Sequence, residues 1–193
     1  MKKYLLITLT TLFSLQLLAQ TGLKVGEKAP EFTAKDNTGK TLDLKALLKT
    51  HKVVVLFFYR GQWCPYCNKQ IKNLQDSLQL LTNKGAYVLG GTPETADNIA
   101  KTIDKTHASF SIVEDKGYKI MKDYEVNYVV EDAMVAKLKK YGEDLELNNG
   151  NTDHVLPVPA TYVIDRSGKI VFVHFDKNYT KRASVSSLLA AVK

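Results

Sequence analysis

The feature that most constrains the fold is an apolar run that ends just before two closely spaced cysteines. Residues 53–59 read VVVLFFY, and three residues separate this run from the motif Trp63-Cys64-Pro65-Tyr66-Cys67. The run is too short for an ordinary helix and is rich in β-branched and aromatic side chains, which predicts a strand buried on both faces. Apolar residues then recur at helical spacing, which predicts a helix that begins near Cys64 or Pro65 and ends before Gly85. We therefore expect the two cysteines at a strand–turn–helix junction.

The rest of the chain alternates between strand and helix patterns. Residues 21–52 are expected to form an extended arm with a turn at 37–39. Apolar stripes predict a helix opened by Thr92-Pro93, a second at 118–124 and a final one from about Lys181. Further strands are predicted at 86–89, 110–113, 161–164 and 169–175. This order predicts an α/β fold with a mixed central sheet and helices on both faces.

The first residues have the pattern of an export signal. Lys2 and Lys3 precede a mostly apolar run from Tyr4 to Leu18, and the small residue Ala19 follows. This order predicts a secretory signal peptide at residues 1–19, and therefore an exported protein of the periplasm or the extracellular space. The alternative is an uncleaved membrane anchor, but a spanning helix needs about 20 apolar residues. No cysteine follows the run, so we expect neither a lipoprotein nor stable membrane insertion after cleavage.

The length of the chain, 193 residues, suits one ordinary domain, which we predict to span residues 20–193. Residues 128–154 break the regular alternation of strands and helices. They contain one amphipathic pattern near Glu131–Tyr141 and a polar turn at 148–150. We interpret this segment as an insertion that covers part of the functional site, and a mobile flap is the alternative interpretation.

The formal net charge of +7 does not indicate a nucleic-acid partner. The lysines are scattered along the chain, and its three arginines are Arg60, Arg166 and Arg182. A nucleic-acid surface needs a clustered basic face with arginine forks. We interpret the excess positive charge as a solvated surface and expect no nucleic acid to bind.

The two cysteines of the chain are three positions apart, and a disulfide between them closes too small a loop to stabilise a fold. Their spacing is better explained by reactivity. The thiolate is the reactive form of cysteine, and a helix N-terminus stabilises it through free N–H groups and the helix dipole. One sulfur can then attack a substrate while the other closes an intramolecular disulfide. Half of a zinc site is the alternative, but tetrahedral zinc needs two further ligands and the four histidines are dispersed, so we expect no metal and no cofactor.

Three separated motifs resemble one known superfamily. The run FFYRGQWCPYC resembles the active-site junction of the thioredoxin superfamily. The segment Gly26–Phe32, GEKAPEF, is similar to the entry motif of the AhpC/TSA peroxiredoxins and of TlpA/ResA-type reductases. Residues 158–170, VPATYVIDRSGKI, are similar to the segment that carries the cis-proline of the superfamily, here Pro159. The resemblance implies a thioredoxin-like fold in its peroxiredoxin-like elaboration.

The resemblance implies two different roles for the cysteines. In the peroxiredoxin motif Pro-x-x-x-Thr-x-x-Cys, the cysteine at the end attacks peroxide, and Cys67 takes that position in this chain. Cys64 then stands where the motif has threonine, and Arg60 stands where it has proline. The peroxide-orienting arginine of the family then falls at or near Pro159. In the thioredoxin pattern Trp63, both cysteines and Pro159 all match, Cys64 attacks and Cys67 resolves.

We expect a thiol-dependent antioxidant oxidoreductase that reduces hydroperoxides. By the resemblance, Cys67 becomes a sulfenic acid, Cys64 condenses with it to a redox-active disulfide, and an external dithiol protein reduces that bridge. Arg60 either assists a thiol or is a surface cation, and Trp63 shields the site. The first alternative is a TlpA/ResA-type reductase of protein disulfides in the cell envelope, in which Cys64 attacks. The second is a binding module that uses the fold only as a docking surface.

Overall fold

The structure is a computed structural model that describes residues 21–193. The predicted signal peptide at residues 1–19 lies outside the described residues. Within the part of the chain that is described, no helix combines the length and the apolar character that crossing a membrane requires.

Nine strands and eight helices make up this part of the chain. The strands are β1 (Thr33–Lys35), β2 (Thr41–Asp43), β3 (Val53–Phe58), β4 (Ala86–Thr92), β5 (Ser111–Glu114), β6 (Asn127–Val129), β7 (Val155–Pro157), β8 (Ala160–Asp165) and β9 (Ile170–Phe175). The helices are α1 (Leu44–Thr50), α2 (Pro65–Asp76), α3 (Leu78–Asn83), α4 (Ala96–Thr106), α5 (Lys119–Asp123), α6 (Asp132–Lys140), α7 (Leu145–Asn149) and α8 (Val185–Ala191).

The central sheet has five strands in the order β5-β4-β3-β8-β9. β3 pairs with β4 in parallel and with β8 in antiparallel orientation, so the sheet is mixed, as predicted. All six residues of β3 are buried, which confirms the prediction of a strand covered on both faces. β1 with β2, and β6 with β7, form two separate two-stranded sheets.

Helices cover both faces of the central sheet, which confirms the predicted fold class. Alternate residues of β3 point to opposite faces. Val54, Leu56 and Phe58 pack in a core with residues of α1 and α5. Val53, Val55 and Phe57 pack in a second core, which contains Cys64, Cys67 and residues of α2, α3, α4 and α8. The cysteines therefore belong to the hydrophobic core on one face of the sheet.

The extended arm predicted for residues 21–52 is wrong in part, because it contains the helix α1. The side chain of Asp43 caps this helix by accepting a hydrogen bond from the backbone N–H of Ala46 at 2.7 Å. The helix has only seven residues, too few to produce a clear apolar period in the sequence. The predicted turn lies between β1 and β2, where Asp36 accepts a hydrogen bond from the N–H of Thr38.

Three helix boundaries also differ from the prediction. The helix after the cysteines is interrupted at Ser77, which has φ −108° and ψ 7°, and continues as α3. Thr92-Pro93 does not open a helix, because β4 extends through Thr92 beside β5 and Thr95 is the N-cap of α4. The last helix begins at Val185 instead of Lys181, because the side chain of Ser184 caps it at that point.

The peptide bond before Pro159 is trans, so the cis-proline implied by the resemblance is wrong for this structure. Only two residues separate β7 from β8, and a trans bond lets the chain continue in an extended course from one strand to the next.

The segment 128–154 contains the predicted amphipathic helix, which is α6. Its neighbours Val130 and Leu145 form a small apolar cluster with Leu156, and Trp63 packs against that cluster. The segment therefore contacts the tryptophan of the cysteine motif. Its status as an insertion stays a prediction.

Candidate active site

The two cysteines lie at the N-terminus of α2. Cys64 is the N-cap residue, Pro65 occupies the first turn, and Cys67 lies one turn into the helix. The Cys64 sulfur accepts a hydrogen bond from the backbone N–H of Cys67 at 3.3 Å. Both thiols are free and completely buried. The helix therefore directs its unpaired N–H groups and the positive end of its dipole at Cys64.

Arg60 contacts the sulfur of Cys64. Its Nη2 lies 3.6 Å from Sγ, a hydrogen-bonding distance for sulfur. The guanidinium carbon lies 4.0 Å from the ring centre of Tyr179 and 5.0 Å from that of Trp63. Two aromatic faces therefore hold the guanidinium against the thiol through cation–π contacts.

The surroundings shift the pKa values of the two thiols in opposite directions. The pKa of Cys64 falls to about 5, because the Cys67 thiol donates a hydrogen bond to its sulfur and the positive charge of Arg60 lies beside it. Burial raises the pKa of Cys67 well above the ordinary value, and its hydrogen bond to Cys64 adds to the increase. Near neutral pH the pair therefore carries one negative charge, on Cys64, and one proton, on Cys67.

Arg182 is a site residue that the sequence analysis did not select. Its Nη2 lies 3.6 Å from the sulfur of Cys67, and it comes from the segment between β9 and α8. No local sequence signal marks it, because 115 positions separate it from the cysteine that it contacts.

Glu94 is a second residue that the sequence analysis missed. Its carboxyl group is completely buried, and both of its oxygens accept the backbone N–H of Gln62 at 2.8 Å, just before the cysteine motif. Burial raises the pKa of this carboxyl to about 8, and the charge of Cys64 also favours its protonated form. An acidic residue two positions after the end of the mostly buried strand β4 was the available signal.

Gly61 lets these groups approach one another. A Cβ atom at this position would lie 2.4 Å from Nε1 of Trp63 and 2.6 Å from Oε1 of Glu94. Any side chain there would displace the indole or the carboxyl, so glycine is required for the close packing. Trp63 is half-buried and forms part of the apolar cover of the site.

Pro159 lines a cavity on the side of the site where Tyr179 lies. The cavity has a volume of about 310 Å³ and is lined by Tyr128, Val158, Pro159, Lys177 and Tyr179. Tyr179 joins this cavity to Arg60, whose guanidinium lies over its ring. The structure therefore brings Cys64, Cys67, Arg60 and Trp63 together, and Pro159 lines the same cavity as Tyr179.

Among residues 21–193, no three histidine, cysteine, aspartate or glutamate side chains are grouped so that they could hold a metal ion.

A buried dithiol at the start of a helix, on a five-stranded mixed sheet with helices on both faces, defines a thioredoxin-fold protein with a CxxC pair. The pattern of the AhpC/TSA family matches residues 25–173, which is more than half of the chain. The chain belongs to the AhpC/TSA family.

A plant protein is among the similar sequences. Peroxiredoxin Q, chloroplastic, of Triticum aestivum is 27% identical over 161 residues, which cover 81% of this chain and 63% of that protein. The chain spans about three fifths of the length of the plant relatives that it matches.

Solved structures share the fold at low sequence identity. Peroxidoxin BcpB from Mycobacterium tuberculosis has a TM-score of 0.68 at 19% identity, covering 88% of this chain and 96% of that chain. The thioredoxin domain of a thiol-disulfide oxidoreductase from Bacteroides vulgatus has a TM-score of 0.55 at 18% identity, covering 82% and 93%. These likenesses establish the thioredoxin-like fold in its peroxiredoxin elaboration.

Proposed function

We propose that this protein is a thiol-dependent peroxidase that reduces hydroperoxides with Cys64 and Cys67. The observation that carries the proposal is that the anionic sulfur of Cys64 is completely buried. A peroxide presents a small O–O group that fits beside a buried sulfur, whereas a protein disulfide is attached to two bulky chains. Membership of the AhpC/TSA family, with relatives named peroxiredoxin, supports the same class of reaction.

Cys64 is the sulfur that attacks in this proposal. Its thiolate attacks the distal peroxide oxygen, the O–O bond breaks, and the leaving alkoxide takes a proton from solvent to become an alcohol, or water when the substrate is hydrogen peroxide. Cys64 is then a sulfenic acid. This order departs from the peroxiredoxin motif, in which Cys67 attacks, because the negative charge rests on Cys64 and the thiolate is the nucleophile.

The second half of the reaction forms the redox-active disulfide. The Cys67 sulfur attacks Cys64, hydroxide leaves and takes up the proton of Cys67, and water is released. One peroxide is reduced and one dithiol is oxidised. An external dithiol protein then reduces the disulfide to two thiols by thiol–disulfide exchange.

The same proposal includes export of the protein from the cytoplasm. Residues 1–19 are removed, and residues 20–193 form the single domain of the exported protein. These parts of the proposal rest on the pattern from Lys2 to Ala19.

The supporting residues have separate roles in this proposal. Arg60 stabilises the Cys64 thiolate and donates to the departing oxygen, because its guanidinium contacts that sulfur. Trp63 keeps water from the sulfur, and Pro159 shapes the wall beside Tyr179. The segment 128–154, as an insertion, covers Trp63.

Single-turnover reaction of the reduced protein with hydrogen peroxide tests the proposal. The wild type should consume one peroxide per dithiol and form an intramolecular disulfide. Cys67→Ser should form a sulfenic acid on Cys64 that dimedone traps, while Cys64→Ser should react at least about 100-fold more slowly, because its remaining thiol is protonated at neutral pH. A sulfenic acid on Cys67 of Cys64→Ser, formed at the wild-type rate, would reverse the assigned order.

A reductase of protein disulfides is the second candidate, favoured by the low pKa of the first cysteine of the CxxC pair. In that function Cys64 attacks a disulfide of a partner protein and Cys67 resolves the mixed disulfide. Insulin reduction, measured beside peroxide consumption at equal protein concentration, separates the two. Rapid insulin reduction with slow peroxide consumption would overturn the peroxidase proposal.

A further inference from the structure

The segment between β9 and α8, residues 176–184, packs beside the two cysteines. Its Tyr179 packs on the guanidinium of Arg60, whose Nη2 contacts Cys64. Three residues later, Arg182 contacts the sulfur of Cys67. One short segment therefore contacts both halves of the dithiol, directly at Cys67 and through Arg60 at Cys64.

Contacts within the segment orient the guanidinium of Arg182. Its Nη1 donates to the backbone carbonyls of Tyr179 and Lys181, the second at 2.8 Å. The ammonium of Lys181 lies 3.5 Å from a carboxylate oxygen of Asp176 at the start of the segment. With Nη1 engaged by the backbone, Nη2 is the group that faces Cys67, and Nε is buried without a hydrogen-bond partner in the described residues.

We propose that Arg182 is a second catalytic arginine, one that acts on Cys67 in the disulfide-forming step while Arg60 acts on Cys64 in the peroxide-cleaving step. The inference rests on the proposed peroxidase function. It assigns one guanidinium to each sulfur, and each lies at the same distance of 3.6 Å.

A second positive charge is needed because Cys67 must lose its proton when it forms the disulfide. Before oxidation, burial and also the Cys64 thiolate disfavour ionisation of Cys67, so Cys67 keeps its proton and donates it in a hydrogen bond. Once Cys64 is a neutral sulfenic acid, that opposing charge is gone. As the proton of Cys67 moves to the departing hydroxyl group of Cys64, the positive charge of Arg182 stabilises the developing Cys67 thiolate, its sulfur forms the S–S bond, and water is released.

The other groups that face Cys67 cannot replace this charge. The backbone N–H of Arg60 donates to its sulfur and is neutral. The phenol of Tyr59 lies close by, and burial raises its pKa, so it also stays neutral. The remaining neighbour is Cys64, which is negative or neutral through the reaction. The charge of Arg60 also interacts with Cys67, but from a position beside Cys64, whereas Arg182 contacts the Cys67 sulfur directly.

The first test does not require peroxidase activity. In the Cys64→Ser background Cys67 is the only thiol, and its ionisation is followed by the pH dependence of its alkylation by iodoacetamide, which the ionisation of tyrosines does not obscure. Adding Arg182→Met should raise the midpoint by about one pH unit or more, and Arg182→Lys should raise it less. Arg166→Met is the matched control, because Arg166 lies in the β8–β9 turn and donates to the carbonyl of His51. An unchanged midpoint in both Arg182 variants would overturn the inference.

The second test locates the step in the reaction. Arg182→Met in the otherwise native protein should react with hydrogen peroxide within about threefold of the wild-type rate. Its disulfide should form at least about tenfold more slowly, with a dimedone adduct accumulating on Cys64. A loss confined to the first step would show that Arg182 acts on peroxide cleavage and would refute the assignment. If the wild type does not consume peroxide, the proposed function fails, while the titration still decides whether Arg182 acts on Cys67.

Melting temperatures of all variants exclude unfolding as the cause. If Arg182→Met does not fold, Arg182→Gln and Arg182→Lys carry both tests. Wild-type resolution in Arg182→Gln would contradict the inference, because glutamine removes the charge and keeps a donor.

Discussion

The guanidinium of Arg60 and the sulfur of Cys64 lie 3.6 Å apart, with the ring of Tyr179 stacked on the guanidinium. The contact places a permanent positive charge beside the thiol at the helix N-cap. It accounts for part of the low pKa of Cys64, together with the hydrogen bond from Cys67. The same contact turns a residue that precedes the cysteine motif by three positions into part of the reactive site.

Arg60→Met should raise the pKa of Cys64 from about 5 by about 1–2 units, because it removes the neighbouring charge. The reaction with peroxide should slow more at pH 5–6 than at pH 8, because at pH 8 the Cys64 thiolate forms without Arg60 and only the hydrogen bond to the departing oxygen is lost. Absorbance at 240 nm in the Cys67→Ser background measures the change. Lys72→Met is the control, since Lys72 is an exposed cation of α2 that pairs with Asp76. Equal rates for Arg60→Met and wild type at pH 5.5 would contradict this role.

Cys64 and Glu94 should affect the pH dependence of stability in opposite directions. The pKa of Cys64 falls from 9.0 to about 5 on folding, so its ionisation adds stability as pH rises from 5 to 9. The pKa of Glu94 rises from 4.5 to about 8, so its contribution is fully present below 4.5 and is lost as pH rises to 8. Between pH 5 and 8 each slope is about 1.4 kcal/mol per pH unit, and the two offset each other.

Variants of the reduced protein separate the two slopes. Between pH 5 and 8, Glu94→Gln should make the free energy of unfolding rise with pH, and Cys64→Ser should make it fall. Urea unfolding at pH 5, 6.5 and 8 under reducing conditions measures both. Parallel pH profiles for the two variants would show that these groups do not keep their assigned charges.

Gly61→Ala should destabilise the fold by about 1–3 kcal/mol, because the new methyl group overlaps the indole of Trp63 and the carboxyl of Glu94. Denaturant unfolding measures the loss. Trp63→Phe in the same background supplies a double-mutant cycle. A smaller combined loss than the sum of the two single losses is expected, since the smaller ring relieves the overlap. Strict additivity would place the strain elsewhere.

Oxidation should produce one intramolecular bridge, between Cys64 and Cys67. The Cys67 thiol already donates a hydrogen bond to the Cys64 sulfur, so the two sulfurs are neighbours in the fold. Non-reducing peptide mapping after one equivalent of peroxide should yield a single bridged peptide at monomer mass. Disulfide-linked dimers as the main product would contradict the proposal.

Much of the fold could be predicted because its signals are local. The unbroken apolar run predicts β3, since a strand covered on both faces needs apolar residues at every position. Pro65 after Cys64 predicts the start of α2, since proline suits the first turn of a helix. The short helix α1 and the interruption at Ser77 were missed, because seven residues give no clear period and a break within an apolar stripe does not remove the stripe.

The sequence by itself determined that two thiols stand one turn apart at a helix N-terminus behind a buried strand, because spacing, proline and apolar periodicity act within a few residues. Only the tertiary structure decided which thiol carries the charge. Arg182 reaches Cys67 from 115 positions away, and Glu94 reaches the Gln62 N–H from 32 positions away. The packing of α8, β4 and α2 brings these groups together. Charges and burial then set the pKa values through distances in space, which the order of residues along the chain does not contain.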